Sequence, residues 1–98
     1  MSNLERIKKI LKEHKEEIRE KYGVVIVGVF GSVARSEESL DSDVDILVNI
    51  EKPIGLKFFE LWDYLETILE RKVDLLTMQA VNKKPILKES IEKDLINV

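Results

Sequence analysis

Three aspartates in this chain stand where charge is costly. Asp43 and Asp45 open the run DVDILV, and Asp74 sits inside KVDLLT. Both runs otherwise read as buried β-strand. Side chains of a strand alternate between faces, so Asp43 and Asp45 should share a face, about 7 Å apart. Val44, Ile46 and Val48 should then point the other way, into a core. If the strand carrying Asp74 pairs beside the first, three carboxylates meet on one sheet face. Like charges and burial both disfavour ionised carboxylates. A divalent cation relieves both penalties, and a hard, oxygen-only donor set suits Mg²⁺ or Mn²⁺. Two such ions about 3.5–4 Å apart form the clamp used for in-line phosphoryl or nucleotidyl displacement.

A complementary feature lies upstream. Gly31-Ser32 closes the apolar run VVIVGVF and precedes a short helical stretch, expected over 33–38 with Ser32 as its cap. Glycine lets a phosphate approach the backbone, and free N–H groups of the turn can bind it. Arg35, one turn along, is placed to reach a phosphate oxygen. A nucleoside triphosphate would lie with its β- and γ-phosphates at Gly31-Ser32 and its α-phosphate at the carboxylates. Two familiar ion- and phosphate-binding motifs do not fit. A calcium loop starting at Asp41 would need Gly and Glu where Ile46 and Lys52 stand. A Walker-type loop would need a second Gly followed by Lys-Ser or Lys-Thr, and Arg35-Ser36-Glu37 follows instead. Glu37, Glu38 and Asp41 read as a solvated connection.

The elements that must position these residues are legible around them. Leu4, Ile7, Ile10, Leu11, Ile18 and Tyr22 recur at helical spacing, predicting a helix from Leu4 to Tyr22 with Ser2 or Asn3 as its N-cap and Gly23 as its stop. His14 falls on that stripe as a packing residue. Val24 to Phe30 reads as a central strand covered on both faces, with Gly28 marking a bulge or a close neighbour. Asp43 to Ile50 is the second strand. Leu56 to Leu69 is an amphipathic helix with Phe58, Phe59, Trp62, Leu65 and Leu69 inward. Lys72 to Thr77 is the third strand, and a helix from Pro85 ends the chain. The expected class is α/β (α+β): one domain over residues 1–98, with helices packed on a small three-stranded sheet.

Composition narrows the function. The 98 residues are 44% hydrophobic and 36% charged, which is globular. A net charge of −3 disfavours nucleic acid as a partner. The absence of cysteine excludes disulfides and thiolate metal sites. No run is long enough for a membrane span, and the charged N-terminus is unlike a signal peptide, so a cytoplasmic location is expected.

The pattern Gly31-Ser32, Arg35, Ser42-Asp43-Val44-Asp45, with Asp74 on a later strand, resembles the signature of the polymerase beta-like nucleotidyltransferase superfamily. In so short a chain, GSVAR…SDVDILV is similar to the minimal nucleotidyltransferases, antitoxin partners of HEPN-domain toxins. The resemblance implies the superfamily's fold and a metal-dependent transfer of AMP from ATP to a tyrosine of the toxin. It implies that Asp43 and Asp45 bind two Mg²⁺ (or Mn²⁺) ions and that Asp74 completes the catalytic site. It also implies nucleotide contacts from Gly31, Ser32, Arg35 and Ser42. Ser36 departs from the pattern, which commonly has Gly there. Two alternatives stay open: a binding protein that masks the toxin without catalysis, and a transferase with a small-molecule acceptor. Association with itself or with the partner is open as well.

Overall fold

Residues 2–37 and 42–98 are described by a computed structural model. Helix α1 (Asn3–Tyr22) begins where the Ser2 side chain accepts the Glu5 backbone N–H at 3.1 Å. It ends at Gly23, whose left-handed backbone (φ 70°) lets its N–H reach back to the Arg19 carbonyl. Ile7, Leu11, Ile18 and Tyr22 form its buried stripe. His14 is half-buried on this helix. Its Nδ1 lies 2.8 Å from the Ile10 carbonyl and its ring stands edge-on to Tyr64, so it packs.

Strand β1 (Val24–Phe30) follows, then the short helix α2 (Gly31–Ala34) and strand β2 (Val44–Ile50). Helix α3 (Lys57–Leu69) crosses over to strand β3 (Val73–Thr77), as a parallel pair requires. Helices α4 (Met78–Val81) and α5 (Pro85–Asp94) and strand β4 (Ile96–Asn97) complete the order. The sheet runs β3-β2-β1-β4, parallel between β2 and β3 and antiparallel elsewhere.

Among the described residues the sheet thus has four strands where three were expected. Gly28 explains the addition. A side chain there would strike the Ile96 carbonyl, so its bareness lets β4 dock. The register between β1 and β2 also shifts between Ile26 and Gly28, so this glycine marks both a bulge and a close neighbour. Three further expectations need correction. Helix α2 ends at Ala34, and Ser32 lies inside it while Phe30 takes the N-cap position without a side-chain bond. Beyond it Ser36 adopts φ 58°, which is why a glycine suits that position; the expected helix end at Glu38 lies outside the described residues. Phe59 is 63% exposed, and Leu61 takes the inward place beside Leu65 and Leu69. The helix starts at Lys57, and its inward stripe runs through Phe58, Leu61 and Leu65, which leaves Phe59 about 100° away from Phe58 on the outer side.

The core divides by sheet face. Alternate residues Val44, Ile46 and Val48 of β2 and Val73 and Leu75 of β3 pack under α1 and α3 with Val24, Ile26 and Val29. The other face carries a smaller cluster of Phe30, Leu47, Val81 and Ile91, covered by α4 and α5. Among the described residues, no helix is long and apolar enough to cross a membrane.

Candidate active site

The three aspartates belong to the second face, at one end of the sheet. Asp45 and Asp74 are direct partners in the parallel register of β2 and β3. Their strand neighbours Val44, Ile46, Val73 and Leu75 are buried on the opposite face, which fixes the direction of both carboxylates. Asp43 was expected inside β2 and instead precedes its first residue, Val44. Asp43 and Asp74 are exposed; Asp45 is half-buried.

On its other side Asp45 pairs with Phe30 of β1, the residue before Gly31. Gly31 has φ 74°, a region that L side chains rarely adopt. A methyl group on its α-carbon would fall on the Asp45 carboxylate. Glycine is therefore demanded twice, by backbone angle and by the carboxylate against it. This contact joins the turn to the aspartates. Helix α2, with four residues, is too short for a sizeable dipole, so any anion binding here rests on individual backbone amides and on Ser32, which is half-buried.

The charges interact. Burial, then the facing Asp74 and nearby Asp43, push the Asp45 carboxyl up to about 6, while Arg35 pulls it down. The site thus strains to hold its own negative charge. Among the described residues, no three acidic or imidazole side chains close into a metal cage. The aspartates form an open row of hard oxygen donors. Arg35 sits nearby, but its guanidinium donates to Glu37 (2.9 Å) and Asp94 (2.5 Å), the second of these on α5. Ser42 offers its backbone carbonyl to Arg71 Nη2 at 2.7 Å. Of the expected solvated connection, Glu37 is exposed as foreseen, whereas Glu38 and Asp41 lie outside the described residues.

Three side chains take roles beside the site that the sequence did not suggest. Trp62 and Glu66 of α3 bond the backbone of Val73, beside Asp74, and Arg71 bonds that of Ser42, beside Asp43. The spacing of Trp62 and Glu66, four apart on one helix face, was the available signal.

Residues 11–98 match the family described as nucleotidyltransferase domain. The chain belongs to this family. Among its relatives is a Methanocaldococcus jannaschii protein provisionally named a protein adenylyltransferase, 48% identical over the whole of both chains. A second, similarly named protein of that organism is 50% identical, again over both full lengths. The protein adenylyltransferase MntA of Thermococcus cleftensis is 47% identical over 93% of this chain and 96% of its own. Among solved structures, one provisionally described as a minimal nucleotidyltransferase superposes with a TM-score of 0.78 at 31% identity, covering 100% of this chain and 97% of that one. A toxin–antitoxin crystal structure with AMP-PNP shares the fold, with a TM-score of 0.66 at 21% identity, over 97% of this chain and 71% of that one. The nucleotidyltransferase fold expected from the sequence is therefore the fold of this chain.

Proposed function

We propose that this nucleotidyltransferase, acting as one domain over residues 1–98, moves AMP from ATP to a tyrosine hydroxyl of a cognate HEPN-type toxin and so works as its antitoxin. The observation that carries the reading is the row Gly31–Asp45–Asp74: a bare turn pressed against one carboxylate, which faces another across a parallel ladder. The names of the M. jannaschii and T. cleftensis relatives support protein as the acceptor class. The toxin–antitoxin neighbour with its ATP analogue is in keeping with the partner and the nucleotide.

The donor set fits a divalent cation. It is all carboxylate, it is open, and its central member has a proton affinity raised by burial and then by the neighbouring aspartates. Asp43 and Asp45 would hold Mg²⁺ or Mn²⁺, two ions when fully loaded, with Asp74 completing the set. Bound there, the cation supplies charge neutralisation to the triphosphate. The chain's own residues do the rest. Backbone amides at Gly31 and the Ser32 hydroxyl hold the β- and γ-phosphates, with Arg35 and Ser42 beside them. Asp74, exposed at the sheet margin, meets the incoming tyrosine and takes its proton. The tyrosine oxygen bonds the α-phosphorus, the α–β phosphoanhydride bond breaks, and pyrophosphate leaves. Tyrosine and ATP thus become AMP-tyrosine and pyrophosphate, with one proton released.

The test uses labelled ATP, Mg²⁺ and a purified HEPN-type protein encoded beside this one. Label should appear on a tyrosine of that protein. Asp43→Asn and Asp45→Asn should abolish transfer and leave the fold intact. Full neutralisation by the double variant at matched concentration would favour a masking protein. A wild-type protein that binds no nucleotide with Mg²⁺ would end the enzymatic reading.

A further inference from the structure

Asp74 lies on an edge strand. Strand β3 has β2 on one side and, among the described residues, no strand on the other. The Val44 N–H donates to the Lys72 carbonyl at 2.9 Å. In a parallel ladder this turns the N–H and C=O of the next residue, Val73, away from β2. Those groups would face outward at the residue preceding Asp74. Both are taken up by α3. Trp62 Nε1 donates to the Val73 carbonyl at 2.7 Å, and a Glu66 carboxylate oxygen accepts the Val73 N–H at 2.9 Å. Both bonds are partly buried, and the second is charge-assisted.

Two side chains, four residues apart on α3, therefore occupy the place of a missing neighbouring strand. They do so at the residue of β3 beside Asp74. Burial already asks for partners here, because Val73 is only 4% exposed and its outward N–H and C=O would otherwise go unpaired. An edge residue that carries a reacting carboxylate has a further need. A drift of the strand margin would carry Asp74 out of line with Asp45.

We propose that Trp62 and Glu66 are positioning residues for the transfer, bracing the outer edge of β3 so that Asp74 stays opposite Asp45. The proposal rests on the reading of Asp74 given above. Removing the brace should slow the chemical step and weaken cation binding. It should spare ATP binding at Gly31-Ser32, which belongs to a different strand end. Outer partners of this kind typically alter activity or metal affinity by about 10–100-fold.

The test compares Glu66→Leu, Glu66→Gln, Trp62→Phe and Asp74→Asn in the full chain. Transfer of labelled AMP to the HEPN-type protein gives kcat and the KM for ATP. Calorimetry gives Mn²⁺ affinity in the presence of a non-hydrolysable ATP analogue. Glu66→Leu and Trp62→Phe should lower kcat about tenfold, with the KM for ATP changed less than about twofold. Mn²⁺ affinity should fall with kcat. Glu66→Gln keeps an oxygen acceptor for the Val73 N–H and should recover both. A glutamine variant as impaired as the leucine variant would overturn the brace. So would wild-type kcat and Mn²⁺ affinity in Trp62→Phe, which retains an aromatic ring and decides the matter if Glu66→Leu does not fold. Asp74→Asn separates the two claims. If it abolishes transfer while the brace variants behave as wild type, the brace alone is wrong. If it transfers normally, the role of Asp74 is wrong and the brace falls with it.

Discussion

The two faces of the sheet obey opposite rules. Under α1 and α3, the inward strand positions of β2 and β3 are aliphatic, and the fully buried side chains gather there. Under α4 and α5, only Phe30, Leu47, Val81 and Ile91 are buried among the described residues, and the sheet end beside them carries carboxylates. One strand serves both, because β2 alternates Val44, Ile46 and Val48 with Asp45 and Leu47. The first face supplies the rigidity. The second spends some of it on holding like charges together, a cost that natural proteins bear at functional sites. Changes to the first face should therefore lower stability, and changes to the acidic end should lower activity while raising stability.

The sharpest break is Asp45→Asn. On the proposed role of Asp45 as the central cation ligand, transfer should fall by on the order of 10³. The melting temperature of the ligand-free protein should nonetheless rise, by a few degrees for about 1 kcal/mol in a domain of this size. Calorimetric melting beside the transfer assay checks both signs. A variant that loses stability together with activity would show that the second face obeys the same rule as the first.

The matched pair Leu65→Ala and Leu47→Ala compares the faces directly. Both leucines are buried, at 0% and 2% exposure. Leu65 is enclosed between α1, α3 and the sheet, and its truncation should cost about 3–5 kcal/mol. Leu47 borders a cavity of about 90 Å³ shared with Met78, Val81, Ile91 and Leu95. It has fewer partners to lose, and about 2–3 kcal/mol is expected. Urea unfolding of both variants, at one pH and without nucleotide, measures the difference. Equal costs would mean that the second face is packed as tightly as the first.

Gly31→Ala acts at the boundary between them. The methyl group meets the Asp45 carboxylate, and φ 74° is strained for alanine. About 1–2 kcal/mol of stability should be lost. Nucleotide affinity should fall more than it does in Ser32→Ala, because the first change moves a carboxylate and the second removes one hydroxyl. Titration with an ATP analogue and Mg²⁺ ranks the two.

How much of this was readable beforehand follows the range of the forces involved. Strand β1 and both ends of α1 were legible, since β-branched runs, a serine cap and a terminal glycine are local signals. Asp43 and Asp45 announced themselves by alternation, and Asp74 by repeating the same conflict on another strand. Strand β4 was not legible. Two residues carry no periodicity, and Ile96 and Asn97 become a strand only because Gly28 leaves room for them. Helix α4 escaped for the same reason, being four residues capped by the Thr77 side chain. The ties of Arg35 to Asp94 and of Trp62 to Val73 join residues 59 and 11 positions apart. The first leaves no local trace, and the second leaves only the four-residue spacing of Trp62 and Glu66 on one helix face. The site's charges could be read in one dimension, while the groups that hold them in place appear only in three.

The smallest expected effect is the most direct measure of the conflict on the second face. The Asp45 carboxyl has its pKa raised from 3.8 to about 6 by burial, Asp74 and Asp43. The folded state therefore binds this proton more tightly than the unfolded chain does. Between those two values the folded protein holds more protons, so the contribution of Asp45 to stability falls as pH rises. Below about pH 4 the residue is protonated in both states and costs nothing. Above about pH 6 it is ionised in both, and the full penalty applies. Because the group is only half-buried, solvent screening limits that penalty to about 1 kcal/mol. The stability difference between Asp45→Asn and wild type should thus be near zero at pH 4, grow through pH 5, and level off near pH 7. Measuring this difference cancels the other carboxylates, which titrate in both proteins. Mg²⁺ with an ATP analogue should erase the plateau at pH 7, because wild-type Asp45 then faces a positive charge. A difference that is flat with pH would place the strain elsewhere and remove the electrostatic contrast between the two faces.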